Sequence, residues 1–368
     1  MVAPLIPRLS LAFDVPEQYM GLMVPAYLIP YGIATLFYGL LSDRIGPRTI
    51  ILSSLLAFSV LTALTTTATS ATAFIGWRLV TGLGASGVVP IALALVGRLF
   101  AYEQRGRPLG WLFGAMAGGS AFGSTLGVVL EPLVGWRTLF GGVATLSVLV
   151  LMLLLRVYQP AVSSVPSGTL TWHGVARGYQ QLLTSVRGRR AYGYVFVNAV
   201  FHAGIFTWLG VYFKQRYGLS EIEIGLALLG YGLPGFFLGP IIGRWADRWG
   251  RRWLLPLGLI LAALAALGLV SSVPLSVAVV AITVLSLGYD LTQPLLAGIV
   301  TDVSPPQRGQ AMGLNVFALF VGFGVGSFLF GQALPLNGLS GALLLFGTGQ
   351  LLLALYGIRA FRTETKPT

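Results

Sequence analysis

The sequence predicts an all-α integral membrane protein of two six-helix bundles, the first of which opens on a shortened helix. Three observations carry this. Only 9% of the 368 residues are charged and 55% are hydrophobic, whereas a soluble domain is about 25% charged, and the mean hydropathy is +0.83. Eleven apolar runs are each long enough to cross a bilayer core of about 30 Å. The second half of the chain repeats the first at a spacing of 203–204 residues.

The runs lie near 20–41, 50–68, 74–100, 108–131 and 138–156, then near 192–213, 222–243, 252–271, 274–300, 309–332 and 338–358. They are too long and too unalternating for barrel strands. The 49 glycines suit close packing of membrane helices. No segment has the form of a cleavable signal peptide. The absence of cysteine excludes disulfides and thiolate metal sites.

The connectors differ in charge by side. Eighteen of the 23 basic residues fall on one side, from Arg44 and Arg48 through Arg244 and Arg252 to Lys366. Arg8, Arg137, Lys214 and Arg216 fall on the other, and Arg78 lies within a helix. The positive-inside rule places the first side, and the C-terminus, in the cytoplasm of a bacterial inner membrane. The net charge of +12 is then a charge on one membrane face and calls for no nucleic acid.

A shift of 204 carries Gly39, Asp43, Arg44, Gly46 and Arg48 onto Gly243, Asp247, Arg248, Gly250 and Arg252. A shift of 203 carries Arg105-Gly106 onto Arg308-Gly309. Matching orientation in the two halves is the mark of a parallel repeat about an axis along the membrane normal. The expected organisation is a bundle at 1–156, a linker at 157–191 and a bundle at 192–368. The linker stretch "HGVARGYQQLLTSVRGRR" is basic and weakly amphipathic, which fits a helix on an anionic lipid surface or a solvated connector. The shift also carries Leu5 onto Leu209 and Glu17 onto Glu221. Residues 1–15 therefore match only the end of a helix, giving eleven full helices and a partial one. Translation beginning upstream of Met1, or a shortened first helix, would each account for this.

With the repeat established, the duplicated charge cluster can be placed. G-x-x-x-D-R-x-G-x-R, present as Gly39…Arg48 and again as Gly243…Arg252, resembles the cytoplasmic signature of the major facilitator superfamily. The resemblance covers essentially the whole chain and includes the sugar-efflux and drug-efflux branches of bacteria. It implies two bundles around a central cavity that alternate between inward-open and outward-open states. The physics agrees. The leading glycine lets a neighbouring helix approach, and Gly46 and Gly250 suit a sharp turn. An aspartate at a helix end can meet the positive dipole end of a helix from the other bundle. Such a cluster can latch the cytoplasmic gate in one state and release it in the other. Setting topology is the simpler role for these charges, but it would not require the same Gly-Asp-Arg-Gly spacing twice.

Charges at membrane depth are costly and mark candidate functional sites. Arg78 in "WRLVTGLGASG" begins an Arg-x3-Gly-x-Gly pattern with Gly82 and Gly84. It resembles a motif of proton-coupled efflux members, which implies a link to proton movement. An arginine near a helix end can also simply snorkel to the interface. Asp290 in "LSLGYDLTQPLL" shares a helical face with Thr283, Ser286, Gln293 and Ala297. That stripe fits a cavity lining, with Asp290 as a proton carrier or substrate contact, or a structural hydrogen bond between helices. His202 in "NAVFHAGIF" fits either a site or a structural position. Asn198, Phe201, Trp208, Tyr231 and Asn315 are further cavity candidates. In "GGSAFGSTLGVVL", Gly119, Gly123 and Gly127 form a ladder for helix packing. It is similar to a glycine-proline motif of antiporters, with Ser124 at the proline position and Val128 at the last glycine.

No phosphate-binding loop, serine elbow or metal cluster is present in the sequence, so neither ATP-driven transport nor an enzyme is expected. The expected function is secondary transport by alternating access: proton-coupled export of a small, drug- or sugar-like organic solute, by a monomer without cofactor. Uptake or facilitated diffusion by the same fold, and a non-transporting sensor, are the alternatives.

Overall fold

The structure, a computed structural model, describes residues 2–101, 104–157, 172–304 and 308–364. Its elements are α1 (Ile6–Phe13), α2 (Glu17–Gly21), α3 (Pro25–Ile45), α4 (Pro47–Thr65), α5 (Ala71–Ala85), α6 (Val88–Leu99) and α7 (Gly106–Val157). They continue with α8 (Trp172–Thr184), α9 (Val186–Tyr217), α10 (Glu221–Leu228), α11 (Leu233–Trp249), α12 (Leu254–Gly268), α13 (Leu275–Asp290), α14 (Gln293–Val300) and α15 (Arg308–Ala360). There is no strand among the described residues.

Among the described residues, eight helical stretches are long and apolar enough to cross a membrane. The two longest are double: α7 leaves helical geometry at Gly135 and α15 at Gly338. With the shorter α12, eleven full helices follow the partial helix at Ala3–Phe13. α9 begins at Val186, within the span expected of the linker, where the Ser185 hydroxyl accepts from the Gly188 amide and caps the helix start. Residues 158–171 lie outside the described residues.

Local chemistry fixes the turns. Gly46 ends α3 at φ 89° and Gly250 ends α11 at φ 79°. Both lie in a region that side chains other than glycine rarely adopt, and both hold the same place in the repeat. Ser70 caps α5, and Ser220 with Glu223 forms a reciprocal capping box on α10.

Four membrane crossings are broken partway along. α2 gives way to α3, α5 to α6, α10 to α11, and α13 to α14. The break at Ser86–Gly87 corresponds under the repeat to that at Asp290–Leu291, and the other two also form a pair. Discontinuous helices free backbone polar groups, which membrane proteins tolerate only where protein or a cavity receives them.

The two bundles meet along two seams, α3 with α15 and α7 with α11. The α7 seam is built on glycines, with Gly106 opposite Gly243, Gly110 opposite Gly239 and Gly114 opposite Gly235. At each of these positions except Gly235 an added Cβ would strike the facing backbone, and at Gly235 it would strike the Asp290 and Ala117 side chains. The α3 seam places Gly39 against Gly309 in the same manner. The seams are closed at the arginine-rich end and at the opposite end, where the Thr125 hydroxyl donates to the Gly225 carbonyl at 2.7 Å. There Trp208 also fills the space between Gly21 and Gly331.

Candidate functional site

At the arginine-rich end, the second copy of the duplicated motif ends α11 beside the first turn of α7. Asp247 Oδ1 accepts a hydrogen bond from the Gly106 amide at 3.2 Å. Gly106 is the first residue of α7, so the carboxylate sits on the positive end of a helix from the other bundle. Gly243 makes the approach possible, since a Cβ there would meet the Gly106 carbonyl. Arg105 adds a second crossing, with Nη1 3.3 Å from the Thr301 hydroxyl and other donors on the carbonyls of Gly97 and Phe100. Asp43 and Arg44 of the first copy lie outside the described side chains. Arg48 reaches the Leu155 carbonyl at 3.2 Å, while Arg248 and Arg252 are exposed or partly exposed on the same face.

α8 lies over this closure. The Tyr179 hydroxyl donates to the Leu36 carbonyl at 2.9 Å and stands beside Gly313 of the opposite bundle. Burial pushes the Tyr179 phenol up to about 12, so it keeps the proton that it donates.

In the interior, Asp290 ends α13 and faces the joint between α10 and α11. It is 2% exposed. The Ser286 hydroxyl lies 3.4 Å from Oδ2 and accepts from the Gly232 amide at 2.8 Å. The Gly235 amide, in the first turn of α11, bonds the carboxylate. Gly232 has φ 103°, and it and Gly235 both lie against Ala117 of α7. One carboxylate thus joins the breaks of two discontinuous helices at the seam between bundles. The Thr283, Ser286 and Asp290 stripe packs on Gly230, Gly232 and Gly235, so it faces α10–α11 instead of an open cavity. The helix break separates Gln293 and Ala297 from it.

Arg78 lies in α5, 9% exposed. Its guanidinium stands 4.1 Å from the centre of the Tyr27 ring, and its Nε has no partner among the described residues. Gly82, one turn on, admits the Tyr27 backbone. From Tyr27 a row of rings runs from one bundle into the other. Tyr27 lies 5.8 Å from Tyr31, and Tyr31 stacks on Phe320 at 4.1 Å. Phe320 and Phe323 continue it to Tyr289, which lies 5.1 Å from His202. Arg78 and the Tyr289–Asp290 pair thus stand at opposite ends of one aromatic row.

His202 is buried, with Nδ1 3.5 Å from the Tyr231 hydroxyl and Phe201 edge-on at 4.9 Å. Its Nε2, Gln293 Nε2 and Asn315 Oδ1 are buried without partners among the described residues. Asn198 is fully committed: it donates to the Thr292 hydroxyl at 2.8 Å and accepts from Gln350 at 2.7 Å. Trp208 donates to the Ser327 carbonyl at 3.0 Å and plugs the end opposite the arginines. The expected packing role of Gly119 is corrected, because it is exposed with open space around it. Gly123 is half-buried and Gly127 buried. The seam uses the ladder that begins at Gly106, which is visible in the sequence as glycine at every fourth position to Gly118. Tyr27, Tyr31 and Gln350 carried no charge signal, and their sequence context did not single them out.

Two helical bundles that meet along glycine seams, with interrupted helices and buried charges, have the architecture of a membrane transporter. The profile of the Major Facilitator Superfamily matches residues 1–222 and 195–368, and the chain belongs to that family. It is 28% identical over 334 residues to the uncharacterized MFS-type transporter YceJ of Bacillus subtilis, covering 90% of this chain and 84% of that protein. It is 24% identical to a chloramphenicol resistance protein of Pseudomonas aeruginosa over 70% of this chain and 61% of that one. The crystal structure of the human organic anion transporter MFSD10 (TETRAN) superposes with a TM-score of 0.75, covering 96% of this chain and 88% of that chain at 21% identity.

Proposed function

We propose that the protein exports a small amphipathic organic solute in exchange for protons, as a monomer in the bacterial inner membrane with its arginine-rich end and C-terminus in the cytoplasm. The proton gradient supplies the energy and no cofactor is used. The observation that carries this reading is the position of Asp290. Its carboxylate faces Ser286 and the first turn of α11, and α11 forms the seam with α7. Gaining or losing a proton there changes the charge presented to the positive end of α11 and so biases the seam. The aromatic row between Arg78 and Tyr289 offers flat apolar walls to a solute, and the unpartnered polar atoms of Gln293, Asn315 and His202 offer it hydrogen bonds. The resemblance to a chloramphenicol resistance protein supports export of an amphipathic compound.

The test is proton flux into pyranine-loaded proteoliposomes, driven by chloramphenicol and a panel of amphipathic aromatic solutes. An imposed pH gradient drives solute movement in the wild type and not in Asp290→Asn, while downhill solute exchange survives. Equal pH-driven flux in Asp290→Asn, or none with any solute, overturns the coupling.

A further inference from the structure

A groove of about 640 Å³ opens on the outer face of the second bundle, between the start of α9 and the end of α15. Arg189 lies on its α9 side, and Arg359 and Arg362 on its α15 side; all three are exposed. None has an ion-pair or hydrogen-bond partner among the described residues. The acid beside them, Glu364, is already engaged, bonded by Arg187 at 2.9 Å and by Arg190 at 2.7 Å. Three guanidinium groups therefore face one groove with no anion to meet them among the described residues.

The groove's lower part is apolar. Gly193, Val197, Leu353 and Tyr356 line it. Val197 lies eight residues along α9 from Arg189, about 12 Å deeper at 1.5 Å per residue. Gly193 has open space where a side chain would stand. The walls are fixed in place, because the Tyr194 hydroxyl donates to the Leu353 carbonyl at 3.1 Å and Tyr194 packs edge-on against Phe361 at 4.7 Å. Tyr356, 66% exposed, and its neighbours Leu352 and Leu355 face outward, as residues against acyl chains do.

We propose that this groove binds one anionic phospholipid. Its phosphate lies among Arg189, Arg359 and Arg362, and an acyl chain lies over Gly193, Val197 and Leu353. A phosphate ion would use the arginines and leave the apolar wall empty. A zwitterionic phospholipid would bring an ammonium group among three cations with no free carboxylate to receive it. Basic pockets between membrane helices favour anionic headgroups for this reason. A groove of similar size on the same face, between Phe100, Trp111, Arg107 and Arg244, already holds the Asp247 carboxylate, so the groove at Arg189, Arg359 and Arg362 is the better anion receptor of the two.

Native mass spectrometry of the detergent-purified chain tests this, with dioleoyl phosphatidylglycerol and dioleoyl phosphatidylethanolamine offered at equal concentration. The wild type retains one phosphatidylglycerol in preference to phosphatidylethanolamine. The variant Arg189→Gln/Arg359→Gln/Arg362→Gln loses about 100-fold in retention, the scale of three arginine contacts at a membrane surface. Gly193→Leu fills the slot with all arginines in place and also loses the lipid. Arg156→Gln/Arg177→Gln, on the same face but outside the groove, retains it. Size-exclusion profiles confirm that each variant is folded. Equal retention of the two lipids, an unaffected triple variant, or an equal loss in the Arg156/Arg177 control overturns the proposal. So does retention by Gly193→Leu, or stabilisation by inorganic phosphate equal to that by phosphatidylglycerol, either of which would make it a soluble-anion site.

Discussion

Asp247 Oδ1 accepts the amide hydrogen of Gly106 at 3.2 Å, across the division between the bundles. The carboxylate belongs to the second copy of the duplicated motif, and the amide opens a helix of the first bundle. On the proposed alternating access, the contact breaks when this end opens, and its strength as a latch can be measured. Asp247→Asn keeps an acceptor oxygen but removes the charge from the helix start, a loss of about 1 kcal/mol. That is roughly a fivefold shift toward the open end. The chain has no cysteine, so spin labels at Gln104 and Arg244, which share a surface groove beside the contact, report the shift directly by electron-electron distance.

Gly243→Val should act more strongly at the same place. Its side chain would occupy the position of the Gly106 carbonyl, so the arginine-rich end cannot close as it does here. The expected outcome is a population held open at this end, seen as a longer distance between the same two labels, with turnover lost. Asp247→Asn weakens the latch and Gly243→Val removes the fit, so the order of their effects distinguishes electrostatics from packing.

The architecture was largely legible in the sequence, because crossing a bilayer without exposed backbone requires about 20 apolar residues and leaves a plain hydropathy signal. The repeat fixed the pairing of helices, and with it the equivalence of Gly39 and Gly243. What hydropathy does not encode is which side of a helix faces a neighbour. Gly119 and Gly114 look alike in sequence, yet only Gly114 meets another backbone. The same limit applies to Asp290. Its stripe of small and polar residues was readable, but a stripe that lines a cavity and one that packs on a glycine-rich joint have the same spacing. The break after Asp290 does have a sequence signal in Pro294, which cannot donate to the residue 290 carbonyl and stands in the first turn of α14, but a proline in a long apolar run can kink a membrane helix as well as interrupt it.

Gly235→Ala tests that joint. The added methyl would meet Asp290 Oδ1 and the Ala117 side chain, displacing the carboxylate from the first turn of α11 without altering any titratable group. On the proposed coupling, Gly235→Ala loses pH-driven solute flux to the same degree as Asp290→Asn, because both remove the same contact. A coupling role for Asp290 that is independent of α11 predicts instead that Gly235→Ala keeps its pH-driven flux.

Asn198, Gln350 and Thr292 form a buried hydrogen-bonded chain inside the second bundle, with Asn198 in the middle. Asn198→Ala leaves the Gln350 amide and Thr292 hydroxyl buried without that partner, at a cost of about 1–3 kcal/mol. A lowered thermal unfolding temperature in detergent reads this out. Gln350→Ala in the Asn198→Ala background should add less than it costs alone, because the two share one bond.

Arg78 and Tyr27 separate charge from stacking. The guanidinium carbon lies over the ring, 4.1 Å from its centre, in a buried setting where such a pair contributes about 2 kcal/mol. Tyr27→Phe keeps the ring face and should leave transport close to that of the wild type. Tyr27→Leu removes the face, leaves a buried cation without its neighbour, and should lower both thermal stability and solute flux. Arg78→Lys keeps the charge but replaces the delocalised guanidinium with a compact ammonium. If the charge alone carries the role of Arg78, Arg78→Lys transports and Tyr27→Leu is impaired only in stability. If the row of rings from Tyr27 to Tyr289 must be anchored at both ends, Arg78→Lys fails with Tyr27→Leu in the flux assay although both proteins remain folded.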